Sequence, residues 1–316
     1  MAVQLGDERR LDAPARRAAP IEIRFNPWWS GAAILSLAAL AVFAPSGLYL
    51  IGFLGVIIVA HEAGHHVMAR RAGMTPTEFF WGFGPEVVAV QVGGCRYGIK
   101  ALFLGGYVRL EGMTPGSTVP ENFDEAGTFR AASHGGRLLT ILAGPAVNLV
   151  MAFLAFSAAA WLGGSSTIAG LGQGMADLWY VIAATGEALA IWAANVGGYW
   201  AALIDGSGDT AAPVRFLSPV AQADVSRRAV GLGLATSLQW FAILSAAIGA
   251  INLLPLPPLD GSHAAVAASE WVWQRVRRDR TIRFDVARLL PLAYLTVGLL
   301  VALSVSALVL DIRDLL

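Results

Sequence analysis

Two histidines and a glutamate lie at the end of an apolar stretch, in the sequence VIIVAHEAGHHVMARRAG at residues 56–73. The spacing His61-Glu62-x-x-His65 places both imidazoles on one face of a helix, where they can bind the same metal ion. Glu62 then lies about 100° round the helix, close enough to act as a general base without binding the metal. Zinc in hydrolases keeps three protein ligands and one open position for water, so a third ligand must come from elsewhere.

The best candidate for the third ligand is Asp260, in INLLPLPPLDGSH at residues 251–263. Three prolines before it break an apolar helix, so its carboxylate lies at the end of a span, where a charge needs a partner. The other histidines fit less well, because they lie on the wrong face of the helix, in a polar loop or beyond the prolines: His66, His134 and His263. The predicted metal ligands are His61, His65 and Asp260.

The elements that position these residues are predicted to be membrane helices. The 316 residues are 56% hydrophobic and 14% charged, against roughly 25% charged in soluble domains. The formal net charge is zero, so nothing indicates a nucleic-acid partner. A span needs ~20 apolar residues, and five stretches qualify: about 26–44, 47–69, 138–162, 230–254 and 289–310. The predicted fold class is an all-α polytopic membrane protein with about five transmembrane helices.

The distribution of basic residues predicts the orientation in the membrane. Three segments, 1–25, 70–137 and 275–288, contain five, seven and six of them, which is eighteen of the 22. Five spans place all three segments on one side, and the positive-inside rule makes that side the cytoplasm. We therefore expect a cytoplasmic N-terminus with a disordered arm at 1–25 and an external C-terminus.

The segment 164–229 is expected to be external and to separate the two halves of the membrane core, 26–163 and 230–316. Within it, residues 175–204 are nearly apolar, with helical spacing of the larger side chains. A sixth span here would separate the basic segments and place Glu187 near mid-membrane, which is costly. We therefore expect an amphipathic helix in the outer interface, anchored by tryptophan and tyrosine.

The region 77–112 reads poorly as helix. The sequences EVVAVQV and RYGIKALFL flank Gly93-Gly94, a pattern that predicts a β-hairpin. Non-helical backbone at membrane depth is tolerated only when it is buried in protein or lines a cavity. The edge of such a small membrane-associated sheet can bind an unwound substrate strand. A cytoplasmic hairpin with no special role is the alternative.

These motifs together resemble the site-2 proteases, the zinc-dependent intramembrane metalloproteases, and most closely the bacterial branch that cleaves anti-sigma factors. The resemblance covers about 47–163 and 216–310. It rests on HEAGH at 61–65, GFGP at 82–85, LGGYVRLEGM at 104–113, AGPAVN at 143–148 and NLLPLPPLDG at 252–261.

The resemblance implies Zn²⁺ bound by His61, His65 and Asp260, with Glu62 as the catalytic base and Asn252 and Asn148 lining the site. Asn252 would help to stabilise an oxyanion, or would instead cap the broken helix. The substrate-binding residues expected beside the hairpin are Gly105, Gly106, Tyr107 and Asn148. The implied partners are the lipid bilayer and a single-span membrane protein, such as an anti-sigma factor, that is cleaved within its transmembrane segment.

Two features depart from that branch of the family. Its members have one or two PDZ domains in the external segment, and 164–229 is too short for such a domain beside the apolar helix. The chain also has an additional N-terminal span. A metal transporter or a non-catalytic metal-binding protein is the rival interpretation, but a transporter needs polar ligands along several spans and has no use for Glu62.

Overall fold

A computed structural model describes residues 22–113, 123–204, 217–279, 284 and 286–313. The strands are β1 (Glu22–Phe25), β2 (Pro76–Val92) and β3 (Cys95–Leu110). The helices are α1 (Pro27–Phe43), α2 (Ser46–Arg71), α3 (His134–Leu162), α4 (Thr167–Ile204), α5 (Pro219–Gly231), α6 (Leu234–Asn252), α7 (Asp260–Arg277) and α8 (Leu290–Arg313). Short 3₁₀ turns lie at Glu125–Gly127 and Val286–Leu289.

Four of the described helices are long and apolar enough to cross a membrane: α2, α3, α6 and α8. The predicted span 26–44 does form a helix, α1, but with 17 residues it is shorter than the other four. The protein is therefore a polytopic helical membrane protein with a small sheet, as predicted.

Helix α3 is the centre of the membrane core, with α2 and α6 packed against it and both antiparallel to it, as the contacts of successive residues show. Gly64 of α2 lies so close to α3 that an added Cβ would meet the Ala143 carbonyl oxygen at 2.7 Å. On α6, an added Cβ at Gly249 would meet Asn148 at 3.1 Å. Small residues allow this close approach, which is how helices associate where lipid removes the hydrophobic driving force.

The predicted β-hairpin is present, and its turn lies at Gly93-Gly94, as the sequence predicted. Gly93 and Gly94 have φ angles of 58° and 84°, as a tight two-residue hairpin turn requires. Strand β1 pairs with the outer edge of β2, from Glu22 opposite Gln91 to Phe25 opposite Val88. Residues 22–25, the end of the N-terminal arm, thus form an edge strand of the sheet. The rest of the arm lies outside the described residues.

Both long strands of the hairpin bend in the middle. Residues 86–92 of β2 pair with the start of β3, while residues 76–81 pair with its end, from Pro76 opposite Leu110 to Trp81 opposite Gly106. Glu78 to Trp81 also lie opposite Arg96 to Ile99, so the bent hairpin folds back on itself. The end of β3, residues 106–110, is thereby an outer edge of the sheet, and Gly106 of that edge lies against Ile58 and Glu62 of α2.

Helix α4 contains residues 175–204, the segment expected in the outer interface, and its first part packs against α3. Helix α4 starts beside the end of α3 and runs back along it: Gly170 lies against Trp161, and Gly174 against Ser157. Leu178 then enters a cluster of buried residues with Ala152, Ala155 and Phe156 of α3 and with Ala242 and Ala246 of α6. Two glycines and an apolar stripe therefore let α4 bury its surface against spanning helices, which the hydropathy of the segment alone did not reveal. The side chains of residues 195–204 lie outside the described part.

Candidate metal centre

The structure brings together the three residues that the sequence singled out as metal ligands. His61 Nε2 lies 3.0 Å from Asp260 Oδ2 and 3.1 Å from His65 Nε2, and His65 Nε2 lies 3.4 Å from the same Asp260 oxygen. The side chains are 9%, 12% and 21% exposed for His61, His65 and Asp260. In the described part of the chain, this is the group of histidine, cysteine and acidic residues that could hold a metal ion.

The distances among these three atoms fit a tetrahedral zinc ion. Zinc bonds of 2.0–2.2 Å separate neighbouring ligand atoms by roughly 3.3–3.6 Å, close to the 3.0–3.4 Å found here. Two imidazole nitrogens and a carboxylate oxygen, mostly removed from solvent, also require a cation or proton between them. The residues present therefore fit the metal that the sequence predicted.

The backbone of α3 sets the orientation of His65. Its Nδ1 lies 2.8 Å from the Thr140 carbonyl oxygen, and because a carbonyl only accepts, Nδ1 carries the proton. Nε2 then has a free lone pair directed towards His61 and Asp260. A hydrogen bond from the second ring nitrogen to a backbone carbonyl is the usual way in which metal-binding histidines are oriented.

Gly144 of α3 provides the space in which the two imidazoles lie. A Cβ added there would meet His61 Nε2 at 2.7 Å and would lie closer still to His65 Nε2. This glycine belongs to the AGPAVN motif, but no property of the motif taken alone shows that it faces the histidines. The sequence reasoning missed both Thr140 and Gly144, and for Thr140 there was no signal to find, because any residue has a backbone carbonyl.

Glu62 and the edge of the sheet line one cavity beside the ligands. The cavity has a volume of about 170 Å³. It is lined on the helix side by Glu62, His65, Thr140, Ile141 and Asp260, and on the other side by Gly106, Tyr107, Val108, Leu110 and Met113. An added Cβ at Gly106 would meet the Glu62 Cγ at 3.0 Å, and Val108 lines the same cavity as Glu62. A peptide that entered this cavity would contact both the glutamate and the strand edge.

Tyr107 is held on the sheet by its hydroxyl. The hydroxyl donates to Glu78 Oε2 at 2.5 Å, and Arg109 Nη1 donates to the other oxygen of Glu78 at 3.0 Å. Burial, together with the hydrogen bond to Glu78, raises the pKa of Tyr107, so the phenol keeps its proton. Lys100 lies over the same ring, with its Nζ 5.1 Å from the ring centre.

Three residues singled out from the sequence lie outside the lining of this cavity. Asn252 ends α6, and its Nδ2 donates to the Ile248 carbonyl oxygen at 3.1 Å, so its amide is engaged within its own helix. Asn148 is fully buried between α3 and α6. Its side-chain amide has no hydrogen-bond partner among the described residues, whereas its backbone carbonyl oxygen accepts from Ser245 Oγ at 2.8 Å. Gly105 lies against the Phe83 ring.

The histidines that were set aside are engaged elsewhere. His66 lies on the opposite face of α2, where its Nε2 is 3.1 Å from the Tyr97 hydroxyl. His134 Nε2 is 2.9 Å from Gln274 Oε1. His263, one turn after Asp260, is not part of the ligand group, and burial lowers the pKa of its imidazole.

Comparison with known proteins identifies a family and several relatives. The sequence profile of peptidase family M50 matches residues 49–293, which is well over half of the 316 residues. Among curated proteins, a Chlamydia pneumoniae protein, named provisionally as a zinc metalloprotease, is 37% identical over 119 residues, or 36% of this chain and 19% of that protein.

Two further relatives show the same pattern. A Fusobacterium nucleatum protein, also named provisionally as a zinc metalloprotease, is 33% identical over 136 residues, or 41% of this chain and 38% of that protein. The zinc metalloprotease Rip1 of Mycobacterium tuberculosis is 34% identical over 120 residues, or 38% of this chain and 30% of that protein. The chain thus matches well under half the length of each of these relatives.

Proposed function

This chain belongs to peptidase family M50, the site-2 protease family, and we propose that it is a zinc-dependent intramembrane endopeptidase. The observation that carries this proposal is the cavity that Glu62, His65 and Asp260 line together with residues 106–110 of β3, with His61 completing the ligand group beside it. The names of the relatives, which describe zinc metalloproteases, support zinc as the metal of His61, His65 and Asp260.

The roles of the residues follow from their positions. Zinc at this site would polarise a peptide carbonyl and lower the pKa of water towards ~7. Glu62 lines the cavity without belonging to the ligand group, so its carboxylate is available to accept the proton of the attacking water and pass it to the leaving amine. A transporter has no use for such a base, which favours the peptidase over the transport interpretation.

The edge of β3 would hold the substrate in the extended form that cleavage requires. A helical transmembrane segment hides its carbonyl groups in its own hydrogen bonds, so it must unwind before a peptide bond can be attacked. Residues 106–110 can pair with the unwound backbone by strand addition, and Gly106 leaves the approach to Glu62 free of a side chain. Tyr107, held by Glu78, would contact side chains of the substrate.

Two residues keep proposed roles that rest on less direct observations. Asn148 is one helical turn from Gly144 on α3, and its buried amide lacks a partner within the described residues. Contact with substrate near the metal would require α3 and α6 to separate at this point, because the side chain is fully buried. For Asn252 we favour the capping role, because its amide already donates within α6.

The substrate would be a single-span membrane protein, with an anti-sigma factor as the specific candidate from the sequence motifs. His65 near the end of α2 contacts Thr140 near the start of α3, and His61 contacts Asp260, which follows α6, so these three helix ends would share one side of the membrane. Eighteen of the 22 basic residues lie in segments assigned to that side, which supports a cytoplasmic location for it. The site would then open towards the cytoplasm in a bacterial inner membrane.

The test is a comparison of membrane proteomes from cells with the wild-type chain and with Glu62→Gln. The substrate should accumulate uncleaved with the variant, since the base is lost, while the purified variant keeps zinc because no ligand has changed. Glu125→Gln, which alters an exposed carboxylate paired with Arg130, is the matched control and should behave as wild type. Loss of zinc from Glu62→Gln, or an unchanged proteome, would contradict the proposed role.

A further inference from the structure

A buried ion pair joins α3 to α7, the helix that begins with Asp260. Arg137 Nη1 donates to Glu270 Oε2 at 2.9 Å, and both side chains are only 5% exposed. Burying two charges is costly, and apolar residues of the same volume often stabilise a fold at least as well. The best-attested reason for such a pair is that it selects one relative position of the elements it joins.

Polar contacts surround the pair and restrict it to one arrangement. His134 Nδ1 accepts from Arg137 Nη2 at 2.6 Å, and His134 Nε2 lies 2.9 Å from Gln274 Oε1. The second Glu270 oxygen accepts from the Phe284 backbone N–H at 3.0 Å. Two residues at the start of α3 thus bind two residues one turn apart on α7.

The same two helices also form the metal site. On α3, Arg137 is one turn before Thr140, whose carbonyl orients His65, and two turns before Gly144, which lies against both imidazoles. On α7, Glu270 is ten residues after Asp260, about 15 Å along the helix. Ala267, between these two positions, belongs to the same buried cluster as Ile141 of α3 and Ala69 of α2.

Asp260 depends on this packing for its position. It is the first residue of α7 and follows the segment LLPLPPL after α6. Among the described helices, α3 is the one against which α7 mainly packs. A shift of α7 along α3 would therefore move Asp260 away from His61 and His65, and the buried pair opposes that shift.

We propose that Arg137 and Glu270 are positioning residues that set the place of Asp260 in the metal site and thereby the affinity for zinc. This inference rests on the proposed function, since it takes His61, His65 and Asp260 as zinc ligands. Neither residue belongs to the ligand group or lines the cavity beside it. Their effect passes through α7, so it should disappear when Asp260 can no longer bind the metal.

The experiment measures zinc affinity of the full chain, purified in detergent, by competition with a chelator. Glu270→Gln should weaken zinc binding at least tenfold, and Glu125→Gln, which breaks an exposed ion pair, should stay within twofold of wild type. In the Asp260→Asn background, Glu270→Gln should have no further effect, because residues that act through one ligand are not additive. Co²⁺ in place of zinc should give the same altered absorption spectrum for Glu270→Gln and for Asp260→Asn.

Glu270→Gln leaves the buried Arg137 without an opposite charge, and the protein could then fail to fold. A second variant avoids this problem. Arg137→Met combined with Glu270→Met removes both charges and keeps the volume, so it should fold but bind zinc at least tenfold more weakly. Failure of this double variant to fold would show that the pair supports the whole fold, and would overturn a role directed at Asp260.

The remaining outcomes separate this inference from the proposed function. A wild-type chain that binds no zinc would overturn both. A wild-type chain that binds zinc, with the Met/Met variant within twofold of it, would overturn the positioning role alone. An additional loss of affinity from Glu270→Gln in the Asp260→Asn background would also overturn it.

Discussion

Gly144→Ala tests the geometry of the metal centre with the smallest possible change. The new methyl group would lie 2.7 Å from His61 Nε2 and 2.7 Å from His65 Cε1. Ordinary contacts between such atoms are about 3.5 Å, so α3 or the imidazoles must move by at least about 0.8 Å, and by more at His65 Nε2, which lies closer still. Metal sites tolerate deviations of about 0.2 Å in ligand distance. At least one of the two histidines must therefore leave its position in the site, unless α3 itself moves away.

The expected result is a loss of zinc affinity of at least ~100-fold, or ~2.7 kcal/mol. Changes in residues that only support metal ligands typically cost about 10–100-fold, and this change displaces a ligand itself. The measurement is chelator competition on the purified protein, together with metal content by mass spectrometry. Circular dichroism should show unchanged helical content, because alanine favours the helix over glycine.

Gly135→Ala is the matched control, since it makes the same chemical change on the same helix. An added Cβ at Gly135 meets nothing within 4 Å, so zinc binding should be unaffected. If Gly144→Ala binds zinc within twofold of wild type, the close approach of α3 to the imidazoles is wrong, and the assignment of the ligand set must be revised with it.

Further changes probe other parts of the structure. Asp260→Ala should lower zinc content, since it removes one of three ligands; full occupancy would show that another residue, with His263 the first to examine, is the third ligand. Val108→Pro should reduce cleavage while zinc stays bound, because proline removes a backbone donor at the substrate edge of β3, and unchanged turnover would argue against strand addition there. Gly174→Leu should lower the thermal unfolding temperature, since its Cβ would meet the Ser157 backbone nitrogen at 2.9 Å. Gly172→Leu is the control, because its Cβ meets nothing within 4 Å. Equal unfolding temperatures for the two variants would refute the packing of α4 on α3. Reporter fusions at residues 1 and 316 should report opposite sides of the membrane, and the same side would require one span more or fewer.

The metal ligands, the hairpin and the membrane spans of this protein could be predicted from local sequence. The metal ligands could be predicted because HExxH has its own helical geometry, so that His61 and His65 share a face wherever the helix lies. Asp260 was identifiable because a carboxylate at the end of an apolar span needs a partner. The hairpin was predictable because Gly93-Gly94 supplies the two positive φ angles that its turn requires. Spans are visible because lipid demands long apolar helices.

Other features depend on which helices meet, and only the tertiary structure decided them. A glycine has no side chain to indicate its neighbour, so nothing local shows that Gly144 faces the imidazoles or that Gly170 and Gly174 draw α4 along α3. Strand β1 depends on pairing with residues more than sixty positions away. The Arg137–Glu270 pair joins residues 133 positions apart. Patterns of hydropathy and spacing reveal which face of a helix or strand is buried or reactive. They do not reveal what packs against that face, because its partner lies far away in the sequence. The metal centre forms only where such distant elements pack together.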